Sequence, residues 1–161
     1  MVPILPLSAF ADLFPFRPAG RKPLAIAIGA STGGPDALQD VLFRLPAPLR
    51  VPVFVTQHMP PLFTRVLGDL LTKTTGHSVR EAVDGEIARA GLVYIAPGDR
   101  HMRVEGSRSA PRILVTSDPP ENYCRPSIDP MLRSLSKVYG GGLLAVMLTG
   151  MGEDGAQGAH A

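Results

Sequence analysis

An α/β chain, doubly wound on a mostly parallel sheet and carrying a small antiparallel hairpin insertion, is the architecture the sequence specifies. Two observations carry that expectation. Apolar runs of strand length alternate with segments whose apolar residues recur at helical spacing, a βαβα beginning that implies a parallel sheet with helices on its faces. Farther along, short strand candidates follow one another across turn-forming residues, the pattern of a hairpin. A chain of 161 residues suits one domain that buries about two-thirds of its unfolded surface.

Residues 1–22 read as a tail or linker, because they keep no period of 2 or 3.6 and Pro3, Pro6, Pro15 and Pro18 stop a long helix. Order is expected near Pro23. Leu24 to Ile28 is the first strand; Pro35 suits the first turn of a helix whose apolar face is Leu38, Val41, Leu42 and Leu45. Val51 to Thr56, β-branched and aromatic, is the second strand, and Leu62, Phe63, Val66, Leu67, Leu70 and Leu71 mark the face of a second helix. Val79 to Val83, Leu92 to Ala96, Met102 to Glu105 and Arg112 to Thr116 are short strands, separated by turns such as Asp84-Gly85 and Pro97-Gly98-Asp99. They predict a mixed sheet. After the proline-rich loop Asp118 to Pro126, a helix spans Ser127 to Tyr139, Gly140-Gly141-Gly142 ends it, and Leu143 to Leu148 is a continuous apolar strand.

Chemistry enters at Gly29-Ala30-Ser31-Thr32-Gly33-Gly34, directly after the first strand. A serine between small residues at a strand end is what a nucleophile elbow requires, since the turn is too tight for neighbouring side chains. A phosphate-binding loop would need Lys and Ser/Thr where Pro35-Asp36 stands. A dinucleotide site would need an acid after the second strand to hold a ribose, and that strand ends in Gln57-His58 instead. A second glycine-rich turn, Thr149 to Gly155, follows the last strand and contains Asp154. Parallel strands end on one side of a sheet, so Ser31, His58 and Asp154 are expected to converge there. Their chain order, Ser, His, acid, differs from that of the α/β-hydrolases.

A formal net charge of +2 with scattered basic residues gives no reason to expect a nucleic-acid partner. Cys124 reads as an incidental loop thiol in a reducing cytosol, and no metal is expected, because the His, Cys and Asp residues show no ligand spacing. His101 reads as a hydrogen-bonded turn residue, and Arg65, Arg100, Arg125 and Arg133 as solvated side chains rather than a patch for an acidic partner. No apolar run approaches the ~20 residues that span a bilayer, and the amino terminus lacks the early positive charge of a secretory signal.

Five segments together resemble one family, the CheB-type protein-glutamate methylesterases of bacterial chemotaxis. They are Ala27 to Gly34, Thr56-Gln57-His58-Met59-Pro60, Tyr94 to Met102, Arg125-Pro126-Ser127-Ile128-Asp129 and Leu148 to Gly155. The resemblance implies Ser31 as nucleophile, His58 as general base and acid, Asp154 as the carboxylate that orients the imidazole, and the backbone N–H groups of Thr32 and Met151 as the oxyanion hole. It further implies a cytoplasmic serine esterase that needs no cofactor and hydrolyses glutamate γ-methyl esters on the cytoplasmic domain of methylated chemoreceptors, with deamidation of glutamine as the same chemistry on an amide. Residues 23–161 are then the catalytic domain, with no room for a receiver domain before it. Domains of this type continue past the Asp-containing turn, so the domain is expected to be incomplete at its carboxyl end, and a truncated, non-catalytic receptor-binding module is the competing reading. Oligomeric state is left open.

Overall fold

The computed structural model describes residues 22–161, so the tail expected over 1–22 lies, but for Lys22, outside the described residues. The elements are β1 (Ala25–Ala30), α1 (Gly34–Arg44), β2 (Val53–Gln57), α2 (Phe63–Thr75), β3 (Ser78–Glu81) and β4 (Leu92–Ile95), then β5 (His101–Ser107), β6 (Ala110–Thr116), α3 (Ile128–Tyr139), β7 (Leu143–Met147) and α4 (Ala156–Ala159). A 3-10 turn over Gly140–Gly142 joins α3 to β7.

The main sheet has the order β3-β4-β2-β1-β7 and every pairing in it is parallel. β5 and β6 pair antiparallel as a separate two-stranded sheet. The expected mixed sheet is thus corrected: the runs at Val79 and Leu92 join the parallel sheet, and only the last two of the four candidates form the hairpin. Connection length explains the difference, since residues 82–91 give the chain room to return along the sheet, whereas the tight Arg108-Ser109 turn folds β6 straight back on β5.

Alternation along each strand sends side chains to two cores. On one face Leu38 and Leu42 of α1 and Leu67 and Leu71 of α2 cover Ile28, Val53, Val55, Val93 and Ile95. On the other, Met131, Leu132 and Leu135 of α3 meet Ala25, Ala27, Phe54 and Tyr94, with Met102 and Ile113 of the hairpin closing the layer. β2 shows the rule within three residues, with Phe54 on the second face and Val53 and Val55 on the first. β7 stands at the sheet edge beside β1, and Leu144 and Met147 on it remain half exposed.

From β1 the chain winds outward through β2, then returns to lay β7 on the other side of β1. The direction of winding therefore reverses between β1 and β7, and the loops at their carboxyl ends splay apart to leave a crevice.

Candidate active site

Ser31 stands one residue past β1, and its N–H donates to the Thr149 carbonyl oxygen at 2.8 Å, which ties the turn after β1 to the turn after β7. Two glycines make that approach possible. A Cβ on Gly150 would lie 2.6 Å from the Ser31 Cβ, and one on Gly29 would lie 2.9 Å from both the Ile128 side chain and the Met147 sulfur. Gly33, at φ 75°, then swings the backbone into α1.

His58 follows β2 directly, and its N–H donates to the Ala30 carbonyl oxygen at 3.1 Å. The Gln57 side-chain amide donates to the carbonyl oxygens of Ser31 at 2.9 Å and His58 at 3.1 Å, so one buried group fixes both backbones. Asp154 arrives from the loop after β7.

The three side chains meet. The Ser31 Oγ lies 3.1 Å from His58 Nδ1, and His58 Nε2 lies 2.7 Å from Asp154 Oδ2. With the ring proton on Nε2 and donated to the carboxylate, Nδ1 keeps its lone pair for the serine hydroxyl. The two ring nitrogens exchange the roles they hold in the chymotrypsin arrangement, where the one remote from the backbone faces the serine. The crevice around them is a cavity of about 150 Å³ lined by Ser31, His58, Gly150, Met151 and Asp154, among others.

Asp154 is almost wholly enclosed, its side chain 4 % exposed. Besides His58 it accepts from the Ser127 hydroxyl at 2.6 Å, the Ile128 N–H at 2.7 Å, the Asn122 amide at 2.9 Å and the Asp129 N–H at 3.3 Å. Burial pushes its carboxyl up, but the hydrogen bonds from His58, Ser127, Ile128 and Asn122 outweigh burial and hold it well below the usual carboxylate range. Ile128 and Asp129 open α3. The carboxylate therefore sits where the first N–H groups of that helix lack partners inside it, the favoured end for a negative charge.

Of the backbone groups expected to bind an oxyanion, Met151 lines the cavity, while Thr32 is an exposed residue of the turn into α1. His101 is buried rather than in a turn; it donates from Nε2 to the Pro119 carbonyl oxygen and accepts the Ser127 N–H at Nδ1, both at 3.1 Å. It braces the residue that braces Asp154. Arg125 bonds Asp99 and the carbonyl oxygens of Ser117 and Asp118, and Arg133 forks onto Glu121. These two arginines are staples of the 117–125 loop and not freely solvated.

That loop holds what the residue pattern left without a role. Asn122 reaches Asp154, and Cys124, read as incidental, has its sulfur 3.7 Å from His58 Nδ1. An irregular loop has no period to reveal which side chains point inward. For Ser127 a signal existed, because a serine immediately before a helical run is a capping residue, yet here its hydroxyl goes to Asp154 and not to its own helix.

A hydroxyl, an imidazole and a carboxylate joined in series define the class of site that serine hydrolases on unrelated folds share. The chain belongs to the CheB methylesterase family, whose family model matches residues 26–161. It is 51% identical over 138 residues to a protein-glutamate methylesterase/protein-glutamine glutaminase of Azospirillum brasilense, covering 85% of this chain and 35% of that protein. A protein of Paramagnetospirillum magneticum (strain ATCC 700264 / AMB-1), protein-glutamate methylesterase/protein-glutamine glutaminase 1, is also 51% identical, over 142 residues, covering 88% of this chain and 37% of that one. The chain thus spans little more than a third of the length of these relatives. The crystal structure of the Thermotoga maritima CheB methylesterase catalytic domain superposes with a TM-score of 0.82 at 38% identity, covering 87% of this chain and 74% of that one.

Proposed function

We propose that residues 23–161 form the catalytic unit of a protein-glutamate methylesterase. Its substrate is a glutamate γ-methyl ester on the cytoplasmic domain of a methylated chemoreceptor, and the site works in the cytoplasm. The observation that carries this reading is the series of contacts from Ser31 through His58 to Asp154. It is supported by family membership and by the activities named for the relatives.

Ser31 Oγ attacks the ester carbonyl as its proton passes to His58 Nδ1, which then gives that proton to the departing methanol. Water repeats the sequence on the acyl-enzyme and releases glutamate. Asp154 stays ionised throughout and stabilises the ring while it is positively charged. The N–H groups of Thr32 and Met151 are assigned to the oxyanion, where each such donor typically contributes about 10²–10³ in kcat. A glutamine amide follows the same path with ammonia leaving.

Ser31→Ala is expected to reduce methanol release from methylated receptor by about 10⁴-fold or more. Retention of the parent rate would refute the assignment. A fluorophosphonate, which reacts with an activated serine, distinguishes the enzyme from a binding module without turnover: one equivalent on Ser31 is expected, and no labelling would favour the module.

A further inference from the structure

We propose that the chain carries an inhibitory site for a soft divalent cation of the Zn²⁺ type, with Cys124 Sγ and His58 Nδ1 as its two protein ligands. Metal binding stands on geometry alone, and its inhibitory effect rests on the role given to His58 above.

Cys124 Sγ, a ring nitrogen of His58 and a carboxylate oxygen of Asp154 lie within 4.8 Å of one another. A tetrahedral Zn²⁺ with bonds of about 2.3 Å to sulfur and about 2.0–2.1 Å to nitrogen sets those two atoms roughly 3.6 Å apart. The observed separation of Cys124 Sγ and His58 Nδ1 is 3.7 Å, which matches that spacing.

The three groups are not equivalent as ligands. Asp154 is already saturated by donors from His58, Asn122, Ser127 and Ile128, and it faces the opposite ring nitrogen. It therefore acts from outside the coordination sphere, accepting the Nε2 proton and leaving Nδ1 basic, which is the carboxylate–histidine–metal arrangement of established zinc sites. The feature that makes Nδ1 a proton acceptor for Ser31 makes it a metal ligand.

The backbone holds the thiol in place. Cys124 exchanges hydrogen bonds with Glu121 at 2.9 and 3.1 Å, and the Glu121 carboxylate is gripped by Arg133. Binding replaces the S–H bond by an S–metal bond and releases one proton to solvent. The ion then occupies the lone pair to which Ser31 Oγ, 3.1 Å away, would pass its proton. Hydrolysis stops until the metal leaves. Two protein ligands instead of four suit a reversible site better than a structural one.

The chain has one cysteine, so a thiolate-to-metal absorption band reports Cys124 alone. We would titrate the full chain with Cd²⁺, whose thiolate complexes absorb in the near ultraviolet, and measure methanol release under Zn²⁺ in parallel. One Cd²⁺ per chain is expected to bind with the band, Zn²⁺ to displace it, and micromolar Zn²⁺ to slow turnover until a chelator is added. Cys124→Ala is expected to hydrolyse ester within about twofold of the parent rate, to lose the band, and to resist Zn²⁺ at least about tenfold better; His58→Gln is expected to weaken Cd²⁺ binding by at least about tenfold. Absence of the band in the parent, an equal Cd²⁺ affinity in His58→Gln, or unchanged Zn²⁺ sensitivity in Cys124→Ala would each overturn the proposal. Because the Cd²⁺ titration needs no turnover, it decides the metal site even in a chain that fluorophosphonate labelling shows to be inactive.

Discussion

At the scale of single residues, Asp154 carries two burdens that are usually separate. Its carboxylate fixes the His58 ring, and it also supplies the charge at the head of α3. Asp154→Asn keeps the size but removes the charge and makes half of the group a donor, facing partners that are themselves donors. Methanol release is expected to drop by about 10⁴-fold, and stability by roughly 2–3 kcal/mol near neutral pH. The pH dependence has a definite sign. The folded carboxyl titrates below the unfolded value of about 3.9, so its stabilisation is complete above that range and is lost as pH falls through it. In urea titrations the gap between parent and Asp154→Asn should shrink as pH falls below about 4; a gap that widens from about pH 4 downward would contradict this account. Asn122→Ala removes one donor from the carboxylate and is expected to lower kcat about tenfold with KM little changed, the mark of a positioning residue.

At the scale of elements, the site depends on how β1 and β2 deliver their last residues. The buried Gln57 amide spans the ends of both strands, and it has room only because α1 begins with glycine: a Cβ on Gly34 would lie 1.7 Å from Gln57 Oε1. Gly34→Ala is expected to push that amide aside and reduce kcat by about 10²-fold while the chain still folds. Parallel measurement of kcat and the thermal midpoint would test it, and an unaltered kcat would show the bridge to be dispensable. Elements of this kind were legible in the residue pattern, since β1, α1, β2, α2 and α3 all follow strong periodicity and differ from expectation only at their ends. The partnership of β3 and β4 was not. Whether a short strand pairs with its sequence neighbour or slides between others is decided by connections and burial, and Val79 and Leu92 look locally the same in either arrangement.

Over the whole molecule, the two cores hold the sheet from opposite faces. Leu135 is fully buried on the α3 side; Leu135→Ala is expected to cost about 2–5 kcal/mol of stability, read as a lower urea midpoint, with kcat per folded molecule little changed. A matching loss of kcat would mean that the middle of α3, and not only its first turn, governs the site. The convergence of Ser31, His58 and Asp154 was readable because strand ends in a parallel sheet share one edge, and strand ends are marked in sequence. The Asn122 support of Asp154 was hidden because Asn122 belongs to an irregular loop whose path is set by Arg125 and Arg133. The reversal of winding between β1 and β7 brings Asp154 to His58 across 96 residues of chain. During synthesis the ribosome releases the serine and histidine long before the aspartate. The serine–imidazole–carboxylate series is therefore complete only once β7 has been made and laid beside β1.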